Sequence, residues 1–497
     1  MSEDATGGAE HAMTAPDFAA RLAQHPGPDD RPWWRLWVSA YAVPALYTAW
    51  QVGLFSTCAK RASSLKDIAA ACDLSPRSAR ILTCLMTSAG LLSAGGAHFS
   101  AAPAAARRFG SEAPDGPWTG WLASHYDTPV TPDRLTRWVG GEAETFPRLP
   151  GDAEPEYLAL DSAAWGFPAA VAADRLGLFA LLARAAAPLP LSAVMGGLAS
   201  AGTGALDPER LASLVTRLQA AGVLETQAGS GQLALAPAFK PFLDPASCCY
   251  KGGTLRLMEL APPSATQSWE ALATERAADE ALMDETIKSP DLSETYAFAL
   301  HMDAQGAGAD AAWACAELLD ADDRVLDLAG GGGSYSICAA LHLPGCRFML
   351  LEQDPMTEVA RHWMSAAGVD SNVHVVTGDM FALSGVEPVT RFAPTAVFAS
   401  NIFHDWRPED NLRLAREVFA TLPAGGRFIL HEMPLAEDGF SDDIAAGFSE
   451  TLRVWTEGTQ YKLSELQQVL AAAGFSDLHN SASLGPYRFV VGVKPAP

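Results

Sequence analysis

Two apolar segments of the sequence each end in an acidic residue, and glycines follow the first of them. Residues 325–333 read Val-Leu-Asp-Leu-Ala-Gly-Gly-Gly-Gly, and Glu352 closes the run Met349-Leu350-Leu351. A buried strand that leads into a glycine turn lets a ligand approach the backbone at the start of the next helix. A carboxylate that ends the next strand can accept hydrogen bonds from a ribose. The pairing predicts a cofactor site, although it matches the dinucleotide fingerprint G-x-G-x-x-G poorly.

Polar residues also end three later apolar runs. Gly378-Asp379-Met380-Phe381 follows one run, Ser400 to Trp406 follows the next, and Glu432 closes the third. An Asp at such a point can accept from an adenine amino group, while Met380 or Phe381 covers the ring. Ligands of parallel sheets bind at the carboxyl ends of the strands. We therefore expect all these residues at one site.

The elements that must position these residues alternate between strand and helix patterns. Such alternation is typical of a mainly parallel sheet with helices on both faces. The predicted fold class of this part is therefore α/β. Strands are expected at 324–327, 347–352, 374–377, 396–400, 427–431 and 487–493, and helices from Ser334, Thr357, Pro408 and Ser464.

The composition restricts the class of protein. A chain of 497 residues is long enough for about two to four domains. Its net charge of −24 disfavours nucleic acid and anionic membrane surfaces as partners, and it has no apolar run of transmembrane length. The eight cysteines form no CxxC pair, which favours reduced thiols in a cytoplasmic protein without a metal site. Residues 1–30 are polar and acidic, so a disordered leader is predicted.

The N-terminal half contains an internal repeat. Copy one, residues 31–139, includes Ala49-Trp-Gln-Val-Gly-Leu-Phe55, and copy two, residues 157–247, includes Ala173-Asp-Arg-Leu-Gly-Leu-Phe179. Later segments match in the same order. Each copy reads as a helix, a helix-turn-helix with a proline in the first turn of its last helix, and a small β wing. This pattern predicts two mainly helical, winged-helix-like modules.

Winged helices often bind DNA, but neither copy has suitable side chains. The last helix of copy one has Arg77 and Arg80 and then turns apolar, while Asp207 and Glu209 offset Arg210 in copy two. A DNA-reading helix needs a row of basic residues with polar base-reading residues between them. No nucleic-acid partner is expected. The remaining predicted segments are a linker at 140–156, a helical connector at 248–319 and the α/β domain at 320–497.

In combination and order, four motifs resemble a known family. These are the glycine loop, Gly-Asp-Met-Phe at 378–381, His-Asp-Trp at 404–406 and the strand ending in Glu432. They look like the class I S-adenosylmethionine-dependent small-molecule O-methyltransferases, which include plant phenolic, acetylserotonin and bacterial polyketide-tailoring enzymes. The resemblance covers nearly everything after residue 40. It implies a Rossmann-like seven-stranded domain, S-adenosylhomocysteine as a product, a small and largely apolar acceptor, and a homodimer built through the winged-helix module.

The resemblance also implies a role for each matching position. Glu352 would bind the cofactor's ribose. His404 would be the general base that removes a proton from the acceptor hydroxyl, a task that suits an imidazole near neutral pH, and Glu432 would orient its ring. Much of the acceleration in methyl transfer comes from aligning the nucleophile with the methyl group. The other expected cofactor contacts are Asp327, Gly330, Gly331, Gly333, Asp379, Met380, Phe381 and Ser400, and the expected acceptor contacts are His301, Met302, Asp405, Trp406 and Trp455.

Two positions depart from the family's pattern. Ala329 stands where the family's first glycine is usual, and Gln460 stands where many relatives carry a second Glu beside the histidine. Gln460 is a candidate catalytic residue that can hydrogen-bond but cannot supply charge. Methylation of sulfur, nitrogen, carboxylate or carbon therefore stays open beside hydroxyl methylation, as do a cofactor-binding relative that does not methylate and a ligand-sensing regulator. The sequence does not say whether copy one extends the interface or covers the site.

Overall fold

The computed structural model describes residues 18–111, 116–260, 262–277, 308–354, 356–483 and 485–496. The strands in these ranges are β1 (Ser63–Ser64), β2 (Leu92–Gly95), β3 (His98–Ala101), β4 (Leu224–Thr226), β5 (Leu233–Leu235), β6 (Arg324–Leu328), β7 (Arg347–Glu352), β8 (Val373–Thr377), β9 (Ala396–Ser400), β10 (Arg427–Glu432), β11 (Ser476–Ala482) and β12 (Arg488–Val493).

The helices of the N-terminal half are α1 (Phe18–Leu22), α2 (Arg31–Ser39), α3 (Ala42–Gln51), α4 (Leu54–Lys60), α5 (Leu65–Ala71), α6 (Pro76–Ser88), α7 (Pro103–Phe109), α8 (Pro117–Asp127), α9 (Pro132–Val139), α10 (Pro155–Arg175), α11 (Leu178–Arg184), α12 (Leu191–Ser200), α13 (Pro208–Ala220), α14 (Lys240–Leu243), α15 (Gly252–Leu260) and α16 (Ala265–Ala277). Those of the C-terminal half are α17 (Ser334–His342), α18 (Met356–Ala367), α19 (Glu387–Phe392), α20 (Pro408–Thr421), α21 (Asp443–Trp455) and α22 (Leu463–Ala473).

One seven-stranded sheet organises the C-terminal part, in the order β11-β12-β10-β9-β6-β7-β8. The five strands from β6 to β10 pair in parallel, and β12 runs antiparallel to β10 and β11. The central strands are almost wholly buried, as expected for parallel strands covered on both faces. The α/β prediction is confirmed, and the sheet is the seven-stranded one that the resemblance implies.

Alternate residues of each central strand face different helix layers. Leu350 belongs to one hydrophobic cluster with α17 and α18. Leu351, the next residue, belongs to a second cluster with α20 and α22. The two clusters hold the sheet rigidly between its helices, and the loops at the carboxyl ends of the strands emerge above both layers.

The two copies of the repeat have the same order of elements in the structure. In copy one, α4, α5 and α6 are followed by the hairpin β2–β3, and in copy two, α11, α12 and α13 are followed by the hairpin β4–β5. The last helix of each trio begins in the same way. Ser75 caps α6 and Asp207 caps α13 through side-chain hydrogen bonds to backbone amides, and a proline follows each cap.

Part of the segment predicted to be a leader is ordered, so that prediction is wrong for residues 18–30. Phe18 and Leu22 of α1 are buried against the C-terminal part. Arg21 forms a buried ion pair with Asp310, with 2.6 Å between nitrogen and oxygen. A five-residue helix is too short to show periodicity, and its charged partner lies far away in the sequence. Residues 1–17 lie outside the described ranges.

All eight cysteines are free thiols. In the described part of the chain, no group of three or more His, Cys, Asp or Glu side chains is arranged to hold a metal ion. No single described helix is both long and apolar enough to cross a membrane. Only α10 and α11 taken together reach that length and composition, and they are bent by 71° where they meet.

Candidate active site

The polar strand ends meet at one edge of the sheet. In the parallel register, Glu352 of β7 lies opposite Thr377 of β8, and His431 of β10 lies opposite Ser400 of β9. The carboxyl ends of the five parallel strands therefore lie side by side. This arrangement brings to one edge the strand-end residues predicted from the sequence, which are Asp327, Glu352, Asp379, Ser400, His404 and Glu432.

The glycine loop makes a tight turn between β6 and α17. Gly331 and Gly333 have φ values of 54° and 84°, in the left-handed region that favours glycine. A Cβ at Gly330 would lie 2.7 Å from Oδ2 of Asp327, and one at Gly333 would overlap the side chain of Met364. Glycine is therefore required at both positions, and the tight turn leads into the N-terminus of α17, where backbone amides can bind a polar ligand group.

Asp327 is turned into the protein beneath this loop. Its carboxylate is buried and accepts a hydrogen bond of 2.5 Å from the Ser336 hydroxyl. Burial raises the pKa of Asp327 to about 6, against the lowering effect of Ser336. Asp327 thus fixes the start of α17 from inside. Its predicted contact with a cofactor stays a prediction.

Glu352 is a carboxylate withdrawn from water at the end of β7. Burial raises its pKa to about 7, the backbone amide of Gln353 lowers it, and the charge of Asp327 raises it further. A carboxylate in this state gains stability from hydrogen-bond donors such as hydroxyl groups. Glu352 therefore suits the ribose contact expected of it.

The next strand end is more open. Asp379 is exposed and accepts a 2.8 Å hydrogen bond from the amide of Phe381, which starts a short 3-10 helix. The Phe381 ring packs edge-on against Trp406, with 4.8 Å between centroids. Met380 is half-buried beside them. This packing brings together Phe381, a predicted cofactor contact, and Trp406, a predicted acceptor contact, which follow different strands.

His404 and Glu432 form the centre of the site. Both are buried, and Nδ1 of His404 lies 3.2 Å from Oε2 of Glu432. The other oxygen, Oε1, accepts hydrogen bonds from the amides of Ile402 and Phe403 at 3.0 and 2.8 Å. Glu432 therefore holds the loop that carries His404 and faces the imidazole at the same time.

The electrostatics of His404 favour the protonated ring. Burial by itself would lower the pKa, but the charges of Asp405 and Glu432 outweigh it, so the pKa of His404 is raised above 6.5. Nε2 of His404 lies 3.6 Å from Oδ1 of the half-buried Asp405. Burial also raises the pKa of Asp405 to about 6, and the nearby imidazole lowers it. Two carboxylates thus stabilise an imidazolium here.

Residues 456–461 run directly behind His404. A Cβ at Gly458 would overlap the carbonyl oxygen of His404, and the hydroxyl of Tyr461 donates to the carbonyl of Trp406 at 2.5 Å. Gln460 is buried in this segment, and its side-chain nitrogen has no hydrogen-bond partner among the described residues. Its catalytic role stays a prediction.

Two other candidates, Ser400 and Trp455, are placed differently. Ser400 and Nδ1 of His431 form a hydrogen bond of 2.9 Å. Burial lowers the pKa of His431 to about 3, so the hydrogen-bond partner of Ser400 is a neutral imidazole. Trp455 donates from its indole nitrogen to the hydroxyl of Tyr41 in copy one, at 3.2 Å. His301 and Met302 lie outside the described residues.

The sequence reasoning missed the residues that copy one brings to this site. Arg77 of α6 donates to the backbone carbonyls of Leu452, Thr456 and Gly458 at 2.8, 2.7 and 2.6 Å, and so holds the segment behind His404. The sequence analysis considered Arg77 only as a DNA contact and rejected that role, and no sequence signal identified its partners. A second contribution is aromatic: Trp37 of α2 packs against Phe448, which lies 5.6 Å from the His404 ring.

Comparison with known proteins is consistent with this geometry. A family model for the O-methyltransferase domain matches residues 275–476. The S-adenosyl-L-methionine-dependent methyl transferase PigF of a Serratia species is 29% identical over 174 residues, which are 34% of this chain and 48% of PigF. The chain thus spans about half the length of this curated relative. The tetracenomycin polyketide synthesis 8-O-methyl transferase TcmO of Streptomyces glaucescens is 27% identical over 71% of this chain and 98% of its own.

Solved structures share the fold. Human N-acetylserotonin methyltransferase in complex with SAM superposes with a TM-score of 0.56 at 21% identity, over 70% of this chain and 100% of the other. PigF with SAH gives 0.55 at 23% identity, over 69% and 99%. Residues 275–476 therefore match an O-methyltransferase domain, and the two curated relatives are methyl transferases, PigF being S-adenosyl-L-methionine-dependent.

Proposed function

We propose that the protein transfers a methyl group from S-adenosylmethionine to a hydroxyl group of a small, largely apolar acceptor. The observation that carries the proposal is the buried pair His404–Glu432 at the same sheet edge as the glycine loop and Glu352. A cofactor site formed by the glycine loop and Glu352 would by itself be compatible with many reactions. A histidine beside that site, with its imidazolium form stabilised, is suited to removing a proton from an acceptor.

The residues at this sheet edge suit the cofactor. A Cβ at Gly330 or Gly333 would meet Asp327 or Met364, so glycine allows the tight turn that leads to the amides at the start of α17, and the partly desolvated Glu352 suits a ribose diol. Phe381 and Met380 are placed to cover an adenine, with Asp379 beside them. Bound S-adenosylmethionine would supply an electrophilic methyl group and become S-adenosylhomocysteine.

The chain's own contribution is proton transfer and alignment. Because Nδ1 of His404 faces Glu432, Nε2 is the atom that accepts the proton of the acceptor hydroxyl. Glu432 stabilises the resulting imidazolium, and the two amides bound to its other oxygen prevent it from turning away. Phe448 borders the imidazole with apolar surface and is itself packed against Trp37, which supports an apolar acceptor.

The winged-helix description of the two copies is supported by their three helices and the β hairpin that follows in each. We assign neither copy to DNA binding, because Arg77 and Arg80 of copy one are engaged inside the molecule. Arg80 pairs with Glu465 at 2.7 Å. The resemblance implies a homodimer, but the contacts between the two copies within this chain favour a single chain.

The base role is tested by transfer of labelled methyl groups from S-adenosylmethionine to a panel of phenols and naphthols. For an acceptor that the protein methylates, His404→Ala is expected to lower kcat/KM by about 10²- to 10⁴-fold. His479→Ala is the matched control, since His479 is exposed on β11. Equal rates for the His404 variant and the control would contradict the proposal.

The pH dependence gives a second test. Because the pKa of His404 is raised, the rate is expected to fall as the pH decreases through a value above 6.5, where the imidazole becomes protonated. Glu432→Gln removes one of the two charges that raise this pKa. The acid limb of kcat/KM should therefore move to lower pH in that variant, while an unmoved limb would exclude the pairing.

A further inference from the structure

The two copies exchange their first helices. α2 belongs to copy one, but Trp33, Leu36 and its other buried residues lie in the hydrophobic cluster that copy two builds. Conversely, Tyr157 and Leu160, in the first half of α10, lie in the cluster that copy one builds. Each copy therefore completes its core with a helix segment from the other.

Individual residues of the exchanged helices correspond as well. Gly53 and Gly177 are 124 positions apart, and so are Pro44 and Pro168, so the repeat extends through these first helices. Trp33 meets Phe167 edge-on at 5.9 Å. The residues that correspond to this pair after exchange of the copies are Tyr157 and Val43, and both are fully buried in one cluster.

A second pair of elements follows the same rule. α9, at the end of copy one, packs on α10 of copy two, and α16, which follows copy two, packs on α3 of copy one. At the second contact the hydroxyls of Thr48 and Ser268 lie 2.8 Å apart. Interfaces in which each surface contacts the other's equivalent are the kind that two-fold symmetric dimers form.

We propose that copy one acts as a built-in partner: within one chain, the two copies form the interlocked two-fold pair that would otherwise need a second subunit. The surface of copy two that would receive a partner is already covered by α2 and α9. The same copy one also supplies Arg77 to the segment behind His404. This inference rests on the proposed function only for the meaning of that last contact.

The linker favours contacts within one chain over exchange between two chains. Glu144 in the linker is ion-paired with Arg134 of copy one at 3.0 Å. Two residues later, Phe146 packs on Trp165 of copy two, with 5.1 Å between ring centroids. Swapped dimers form through hinge segments that open out. Here the segment between the copies is anchored to both of them.

The test is the mass of the full-length protein in solution, which requires neither cofactor nor acceptor and is therefore independent of the proposed function. Multi-angle light scattering over a wide range of concentrations is expected to give the mass of one chain, 52.4 kDa. A mass of two chains, or one that rises with concentration towards two, would overturn the proposal.

A pair of variants addresses the contact itself. A Cβ at Gly166 would lie 3.2 Å from Leu36 and 3.1 Å from Ala221, whereas one at Gly196 would meet nothing within 4 Å. Gly166→Leu should therefore lower the unfolding midpoint of the chain while the mass stays that of one chain, and Gly196→Leu should leave both unchanged. If Gly166→Leu converts a dimer into monomers, the interface lies between chains and the proposal fails. If it does not fold, the mass of the unaltered protein still decides.

Discussion

Copy one and copy two share a backbone but differ in what their last helices contact. The glycines before α4 and α11 have nearly identical φ values, 78° at Gly53 and 75° at Gly177, and α6 and α13 each begin with a side-chain cap followed by a proline. Arg77 of α6 reaches three carbonyls of the catalytic part, whereas its counterpart in α13 is Glu209. A repeat can keep its fold while one helix surface takes on new contacts.

Charged residues near the starts of α6 and α13 account for the different contacts of these two helices. Arg80 of copy one forms a two-pronged ion pair with Glu465 in the catalytic part, and the corresponding position in copy two is Ala212. Copy two instead uses Arg210, which donates to the carbonyls of Trp138 and Glu142 beside and within the linker. The last helix of copy one therefore contacts the catalytic part, and the last helix of copy two contacts the linker.

The largest expected effect concerns a buried network between copy one and the catalytic part. Arg453 and Glu450 of α21 are ion-paired at 2.7 Å with no exposed surface, and Arg453 also donates to Ser268, which contacts Thr48 of copy one. Arg453→Ala leaves a buried charge without compensation and should cost about 3 to 5 kcal/mol in urea unfolding.

The control for this network is an exposed ion pair between the two copies. Arg175 and Asp133 form an exposed pair at 3.5 Å. Arg175→Ala should cost less than about 1 kcal/mol, since exposed pairs contribute little. Similar losses for Arg453→Ala and Arg175→Ala would remove the contrast between a buried link to the site and an exposed link between copies.

The next effect compares equivalent helices directly. Arg77→Ala removes three hydrogen bonds from a charged donor and should cost about 2 to 3 kcal/mol, with faster amide exchange in residues 452–460. Arg210→Ala removes two similar bonds from a half-exposed donor, and we expect about 1 kcal/mol and no change in exchange near His404. Faster exchange in both variants, or in neither, would mean that copy one does not position the segment.

Acid should affect the copies unequally. His125 of α8 is buried, and burial lowers its pKa from 6.5 to about 4, whereas copy two contains no histidine. Because the folded state disfavours protonated His125, the protein is most stable above the unfolded-state pKa of this residue. Stability is lost as the pH falls from 6.5 towards 4. At pH 5 the loss amounts to about 2 kcal/mol. Hydrogen exchange should therefore accelerate first in copy one, and His125→Leu should suppress the difference.

The smallest effect should be equal in both copies. Gly53→Ala and Gly177→Ala each place a side chain in the left-handed region, at a cost of about 1 to 2 kcal/mol. Neither added Cβ meets a severe clash. Thermal unfolding of the two variants should therefore show matching losses, and a loss in only one copy would show that the two backbones are not under the same constraint.

The sequence was sufficient for the parts of the fold that have strong local patterns. The strands β6, β7, β9 and β10 were predicted to within one residue because they are buried apolar runs. β11 was missed because it is an edge strand of mostly exposed polar residues that pairs only with β12. α21 was missed because its buried face includes Glu450 and Arg453, whose pairing hides the usual apolar periodicity.

The candidate site shows the same division. The order of strand ends placed Glu352, His404 and Glu432 at one sheet edge, because parallel topology alone fixes that neighbourhood. The role of Arg77 could not be predicted, since its three carbonyl partners are more than three hundred residues away in the chain. Long-range backbone contacts leave no spacing pattern in a sequence.

The most direct test of the central claim is calorimetric titration of the purified protein with S-adenosylmethionine and S-adenosylhomocysteine. We expect both to bind at micromolar strength or better, with unchanged affinity in His404→Ala, because His404 acts on the acceptor side. Glu352→Ala should weaken binding by about tenfold or more, the loss of about 1.4 kcal/mol of hydrogen bonding. If neither ligand binds the unaltered protein, the methyltransferase assignment and the site built on it are wrong.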